Sequence, residues 1–207
     1  MTKILTVTGF AQDSSLISKS LDLPSNAYNY LNKELKDLVL DQDYDMLIGW
    51  SLGGCVALEL AKKYHIKKLI LIATPFHLKD SSKQVTQEFA TAPQEFLKKF
   101  TKLLYFGDKN YRHIARELHT KTSYDLNKLN KWLAYLYDFN AQLYASFTGE
   151  LLIIHGNQDA IIPASEAEYY QTLFKTENIV YFKEAGHVPF LHDKKLFNKL
   201  VNEFYAR

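Results

Sequence analysis

Apolar positions along the chain follow two alternating rhythms. Short, continuous apolar runs occur at Lys3–Thr8, Asp45–Gly49, Lys67–Ala73, Leu151–Ile154 and Asn178–Phe182. Runs of this length, rich in Ile, Leu and Val, predict strands buried on both faces of a parallel sheet. Between them the apolar residues recur at helical spacing. Ala27–Leu40 carries Tyr30, Leu31, Leu35, Leu38 and Val39 as a stripe, and Cys55–Ala61, Ser165–Phe174 and Lys194–Tyr205 read the same way. Asp13-Ser14-Ser15 is suited to capping a short helix that Pro24 ends. Strand alternating with helix predicts an α/β fold. From Phe76 to Thr148 the rhythm changes, and only helical stretches appear: Gln84–Phe89, Pro93–Phe106, Tyr111–His119 and Leu126–Tyr144. The prediction is a core formed by 1–75 and 149–207, with 76–148 inserted as an all-helical lid over the carboxyl ends of the strands.

Composition narrows this picture. A chain of 207 residues, 47% hydrophobic and 14% aromatic, is long and apolar enough for one domain with a substantial core. A net charge of +2 gives no reason to expect nucleic acid or an anionic membrane as partner. The single cysteine, Cys55, has no internal disulfide partner and sits in a helical run, which suits a packing thiol. The first residues are too short and polar a stretch for a signal peptide or a span, so a cytoplasmic monomer is expected. Charge is unevenly spread: 76–148 holds eleven Lys and Arg against seven Asp and Glu. That surplus suits either a solvated helical face or a docking face for an acidic partner.

Chemistry concentrates at Gly49-Trp50-Ser51-Leu52-Gly53-Gly54, which follows an apolar run and opens a helical one. Gly-x-Ser-x-Gly between strand and helix is the pattern of a nucleophile elbow, whose tight turn presents the serine hydroxyl. Such a serine needs a base, and the base needs an orienting group. Among seven histidines, His187 lies in a loop just past the last predicted strand, whereas His155 and His192 have structural readings and His65, His77, His113 and His119 lack such a frame. Asp159, in the turn after Leu151–Ile154, is placed to orient the base, though it also suits an Asx turn. The backbone amides of Leu52 and of Phe10, after Gly9, are the candidates for an oxyanion hole. Trp50, Phe76, Phe100, Phe106, Trp132 and Phe139 are available either to line an apolar acyl channel or to pack the lid. No metal-ligand spacing, P-loop or dinucleotide fingerprint is present, so no cofactor is expected.

The order Ser51, Asp159, His187 is that of α/β-hydrolases. Gly-Trp-Ser-Leu-Gly-Gly at 49–54, Gly-Asn-Gln-Asp-Ala-Ile-Ile-Pro at 156–163 and Gly-His-Val-Pro-Phe-Leu-His at 186–192 together resemble the α/β-hydrolase esterases of biotin synthesis. Those enzymes cleave the methyl ester of pimeloyl-acyl-carrier protein. The resemblance implies a Ser-His-Asp acyl-enzyme mechanism and an acyl-carrier protein as partner. It also implies lid cations gripping that carrier, here Arg112 and Arg116 with Lys99 nearby, while Glu95 stands where the family places another arginine. Two departures are visible. The family has His-Gly before the oxyanion residue where this chain has Thr8-Gly9, and its two further strands and much of the Phe10–Asp45 stretch are reduced, predicting a smaller sheet. A general short-chain carboxylesterase, a menaquinone-pathway lyase and a hydrolase-fold binding protein with negligible turnover remain open readings.

Overall fold

The computed structural model describes residues 3–78, 82–118 and 124–207. Six parallel strands form one sheet: β1 (Ile4–Val7), β2 (Asn26–Ala27), β3 (Met46–Trp50), β4 (Lys68–Ile72), β5 (Glu150–Gly156) and β6 (Ile179–Phe182), in the order β2-β1-β3-β4-β5-β6. Side chains alternate across it. Leu5, Val7, Leu47, Leu69, Leu71 and Ile153 join one buried cluster, and Ile4, Met46, Ile48, Ile70, Ile72 and Ile154 join the other. Both faces are therefore covered, which is why these strands read as unbroken apolar runs.

Register decides what meets at the carboxyl edge. Val7 lies opposite Gly49, Trp50 opposite Ile72, and Gly156 opposite Phe182. The segments that follow β1, β3, β5 and β6 thus emerge at the same edge, carrying Phe10, Ser51, Asp159 and His187 in turn.

Helix α1 (Leu52–Lys63) follows β3, and α6 (Ser165–Phe174), α7 (Pro189–His192) and α8 (Lys194–Ala206) complete the core. Cys55 in α1 is fully buried, and burial pushes its thiol pKa well up, as a packing role requires. Between β4 and β5 come α2 (Ser82–Thr91), α3 (Pro93–Leu104), α4 (Tyr111–Glu117) and α5 (Leu126–Asp138), with no strand among the described residues of that insert. The helix expected over Leu126–Tyr144 breaks at Phe139, where the backbone is extended, and resumes as a 3-10 turn over Ala141–Tyr144. His119, Lys79, Asp80 and Lys121 lie outside the described residues. Among the described residues no helix is long and apolar enough to cross a membrane.

One expectation is overturned. Ala27–Leu40 is not a helix, since Asn26–Ala27 pairs with β1 as a two-residue edge strand and only Leu35–Asp37 turns, as a 3-10 element. Backbone groups that a helix would use are taken elsewhere: the Tyr28 amide donates to the Thr6 carbonyl (2.8 Å), and the Tyr28 hydroxyl bonds both the amide and the carbonyl of Val39 (3.0 and 2.9 Å). The expected stripe is split as well, with Tyr30, Leu31 and Leu38 buried but Leu35 and Val39 exposed. Tertiary pairing outweighs helical spacing here.

Candidate active site

Ser51 joins β3 to α1 with φ 55° and ψ −124°, a strained conformation for a residue with a Cβ. Its amide donates to the Ile72 carbonyl (2.8 Å) and its carbonyl accepts from Gly54 (2.8 Å), so the turn is pinned on both sides. The closeness of the surrounding backbone explains the glycines. A Cβ on Gly49 would stand 2.5 Å from the Gly54 Cα, and one on Gly53 would stand 2.1 Å from the Val7 carbonyl oxygen. Gly9 lies against the serine from the β1 side, where an added Cβ would meet the Ser51 Cβ at 3.3 Å. Phe10 is buried next to it, its ring edge-on to Phe89 (5.8 Å) and Phe100 (5.5 Å), and Leu52 begins α1. Leu52 and Phe10 thus stand on the helix side and the loop side of Ser51.

Asp159 and His187 meet directly. The His187 Nδ1 lies 2.7 Å from the Asp159 Oδ2, which makes it a donor, and its Nε2 is buried without a hydrogen-bond partner. Both peptide groups of His187 are held, the amide by the Leu104 carbonyl (3.2 Å) and the carbonyl by the Trp50 indole N–H (2.8 Å). Asp159 also fills its turn role, since its Oδ1 accepts from the amides of Ile161 (2.9 Å) and Ile162 (3.0 Å). The two readings of this residue are therefore compatible. A second imidazole shares the carboxylate: His155 Nε2 lies 3.3 Å from Asp159 Oδ2 and 2.9 Å from the Ile162 carbonyl. Two acceptors around that nitrogen require it to carry the proton. The His155–Asp159 spacing, four residues across a strand end, was the available signal for this contact.

Burial alone would raise the Asp159 carboxyl, but the neighbouring His187 and hydrogen bonds from both imidazoles outweigh it and hold the group well below the ordinary carboxylate range. A depressed carboxyl contributes stability that is present above the unfolded pKa of about 3.9 and is lost as pH falls through the lower folded value. The stability advantage of the protein over an Asp159→Asn variant will therefore not shrink between pH 7 and pH 5. Urea denaturation at both pH values checks this, and a halved advantage at pH 5 would contradict it.

The aromatics expected to form a wall sit in separate packings. Phe100 packs on Phe10, and Phe76 lines a cavity of about 530 Å³ with His77, Pro163, Glu166 and Tyr169, a lining that includes none of Ser51, Asp159 and His187. Phe106 is 66% exposed at the α3–α4 corner, so it is no part of a buried channel. Trp132 is used for packing, edge-on to Tyr30 (5.0 Å), with its N–H on the Lys33 carbonyl. Phe139 stacks on Tyr144 (5.4 Å) inside the insert. Trp50 is buried against Phe190 (5.2 Å) and the His187 ring (5.6 Å), where it supports the histidine loop. Arg112 and Arg116 are exposed one turn apart on α4, Arg112 lying over the Tyr111 ring. Lys99 is paired with Glu88 (3.4 Å) on a groove that Glu95 also lines. Sequence reasoning gave no role to Asp108, whose buried carboxylate touches the His187 loop through Gly186 and His192. Among the described residues no group of three or more His, Cys, Asp or Glu side chains is arranged to hold a metal ion.

Comparison with known proteins fits this geometry. The chain is 28% identical to a pimeloyl-[acyl-carrier protein] methyl ester esterase of Aromatoleum aromaticum over 182 residues, covering 72% of this chain and 69% of that protein. It is also 28% identical to a biotin biosynthesis bifunctional protein of Teredinibacter turnerae, covering 76% of this chain but only 32% of that protein. The chain thus spans about a third of the bifunctional relative it matches. In structure it superposes on an esterase from Exiguobacterium antarcticum with a TM-score of 0.78 at 16% identity, covering 100% of this chain and 92% of the other, a likeness of fold. The model of the alpha/beta hydrolase family matches residues 13–200, and the chain belongs to that family.

Proposed function

We propose that the protein is a serine carboxylesterase that cleaves the methyl ester of pimeloyl-acyl-carrier protein, with the helical insert acting as a lid. The observation that carries the reading is the His187 imidazole, oriented by Asp159 at 2.7 Å, with a buried and unpartnered Nε2 at the edge where Ser51 sits. His187 Nε2 takes the Ser51 proton as the hydroxyl oxygen attacks the ester carbonyl. The oxyanion rests on the amides of Phe10 and Leu52. His187 passes the proton to the departing methoxide, which leaves as methanol. It then deprotonates a water that attacks the acyl-enzyme, releasing the free acid and restoring Ser51. Asp159 keeps its charge through the cycle and stabilises each imidazolium.

The substrate assignment rests on the names of the relatives and on the basic insert. Arg112 and Arg116 present two cations to an acidic carrier from one face of α4. The Lys99–Glu88 pair and Glu95 favour a second reading, a carboxylesterase for small free esters. Rescue of a biotin auxotroph lacking its esterase tests the assignment: the wild-type gene restores growth and the Ser51→Ala gene does not. Reversing both arginines to glutamate lowers kcat/KM for the carrier-bound ester by about 10–100-fold, at about 1.4 kcal/mol per tenfold, and leaves a small aryl ester within about twofold. No rescue, with equal losses on both esters, would leave only the small-ester reading.

A further inference from the structure

The segment between α3 and α4 is fastened to the loop that carries His187. The Asp108 side chain is fully buried, and its carboxylate is divided between two chain segments. Oδ2 accepts from the Gly186 amide at 2.8 Å, immediately before His187. Oδ1 accepts from the Asn110 amide at 2.7 Å and from His192 Nδ1 at 2.7 Å. A carboxylate supplies no proton here, so His192 carries its proton on Nδ1. The clasp is reciprocal, because the Asn110 side-chain amide donates to the His192 carbonyl (2.8 Å). Around it the Leu104 carbonyl takes the His187 amide, the Lys109 amide donates to the Glu184 carbonyl (3.2 Å), and the Lys109 ammonium pairs with the Glu184 carboxylate (2.9 Å). The corner approaches Gly186 closely: an added Cβ there would stand 3.3 Å from the Phe106 carbonyl oxygen and 3.5 Å from the Asp108 Cβ.

From this juxtaposition we infer that Asp108 and His192 form a second carboxylate–imidazole pair, which positions the His187 loop and makes its alignment depend on the insert being in place. The inference rests on the reading of His187 as the base. His187 is faced by Asp159 at Nδ1 and by the Trp50 ring, and Asp159 is shared with His155. If the clasp is removed, the loop of residues 186–192 loses its side-chain fastening to the insert and is left with the backbone bonds to Leu104 and Lys109, the Lys109–Glu184 pair and the Trp50 bond. The imidazole then drifts from both Ser51 and Asp159, and misplacements of about 1 Å at a reacting group cost up to about 10²-fold in rate.

The test measures kcat and KM per folded chain, with the folded fraction taken from circular dichroism, for Asp108→Asn, His192→Ala, His192→Asn and a Ser51→Ala control, using a small aryl ester. Asp108→Asn leaves one acceptor oxygen for three N–H groups, and His192→Ala removes one donor. Both variants lose about 10–100-fold in kcat with KM within about threefold. His192→Asn, whose amide nitrogen stands where Nδ1 does, recovers most of the loss. A positioning role is overturned if kcat per folded chain stays at the wild-type value while only stability falls, or if His192→Asn is as impaired as His192→Ala. An active Ser51→Ala control would instead overturn the reading of the site itself, so the two failures are distinguishable.

Discussion

Replacing Ser51 with alanine lowers ester turnover by about 10⁶-fold and leaves the fold intact, since alanine keeps the Cβ and removes only the attacking oxygen. The size of the loss follows because, among the described residues, no other hydroxyl or thiol is bonded to His187 Nε2. Its Nε2 has no partner in the buried space beside the elbow, and Cys55 is sealed within α1 with its thiol pKa pushed up. Ser51→Gly is equally inactive but more stable than the wild type, by about 1 kcal/mol, because glycine relieves a φ of 55° that costs serine about 1–3 kcal/mol. Chemical denaturation alongside esterase assays checks both parts. An inactive Ser51→Gly that is less stable than the wild type would show that the backbone strain has been misjudged.

Gly53→Ala is the most damaging substitution expected outside the reacting groups. The added methyl would stand 2.1 Å from the Val7 carbonyl oxygen and 2.4 Å from that of Thr8. These are backbone atoms at the end of β1, which is paired on both sides by β2 and β3 and cannot retreat without breaking a ladder. The start of α1 must move instead, at a cost of about 3 kcal/mol or more. In a chain of this size that lowers Tm by about 6–12 °C. The same shift carries the Leu52 amide away from Phe10, so turnover falls as well, by about 10²-fold for one lost oxyanion donor. By contrast Gly9→Ala meets only the side chains of Trp50 and Ser51, at 3.2–3.3 Å, and lowers Tm by a few degrees at most. Equal losses in Tm for the two variants would contradict the packing described for β1 and α1.

The features most legible in the sequence were those enforced locally. Continuous apolar runs marked β1, β3, β4, β5 and β6, because a strand covered on both faces has no polar alternative. Glycines at 49 and 53 marked the elbow, because contacts of 2.1–2.5 Å leave no room for a Cβ. What the sequence concealed depends on partners far along the chain. Tyr30 and Leu31 kept helical spacing while their segment was being drawn to β1 and to the insert, through Tyr30 on the Thr8 carbonyl and Trp132 on the Lys33 carbonyl. Phe106 and Trp132 were equally plausible pocket residues as letters, yet one is exposed and the other is held by Tyr30 and Tyr135. Asp108 and His192 are 84 residues apart, so no local pattern joined them. The only trace was the repeated histidine in Gly186-His187-Val188-Pro189-Phe190-Leu191-His192.

The proposed chemistry requires Ser51 to be a nucleophile activated by His187. An alkyl 4-nitrophenyl phosphonate, followed by peptide mass mapping and by steady-state hydrolysis of a methyl ester, tests this directly. The predicted result is one adduct per chain on Ser51, appearing in step with loss of turnover and formed at least about 10³-fold more slowly in His187→Ala. Modification at another residue, or an adduct on Ser51 in a protein that shows no steady-state turnover beforehand, would contradict it.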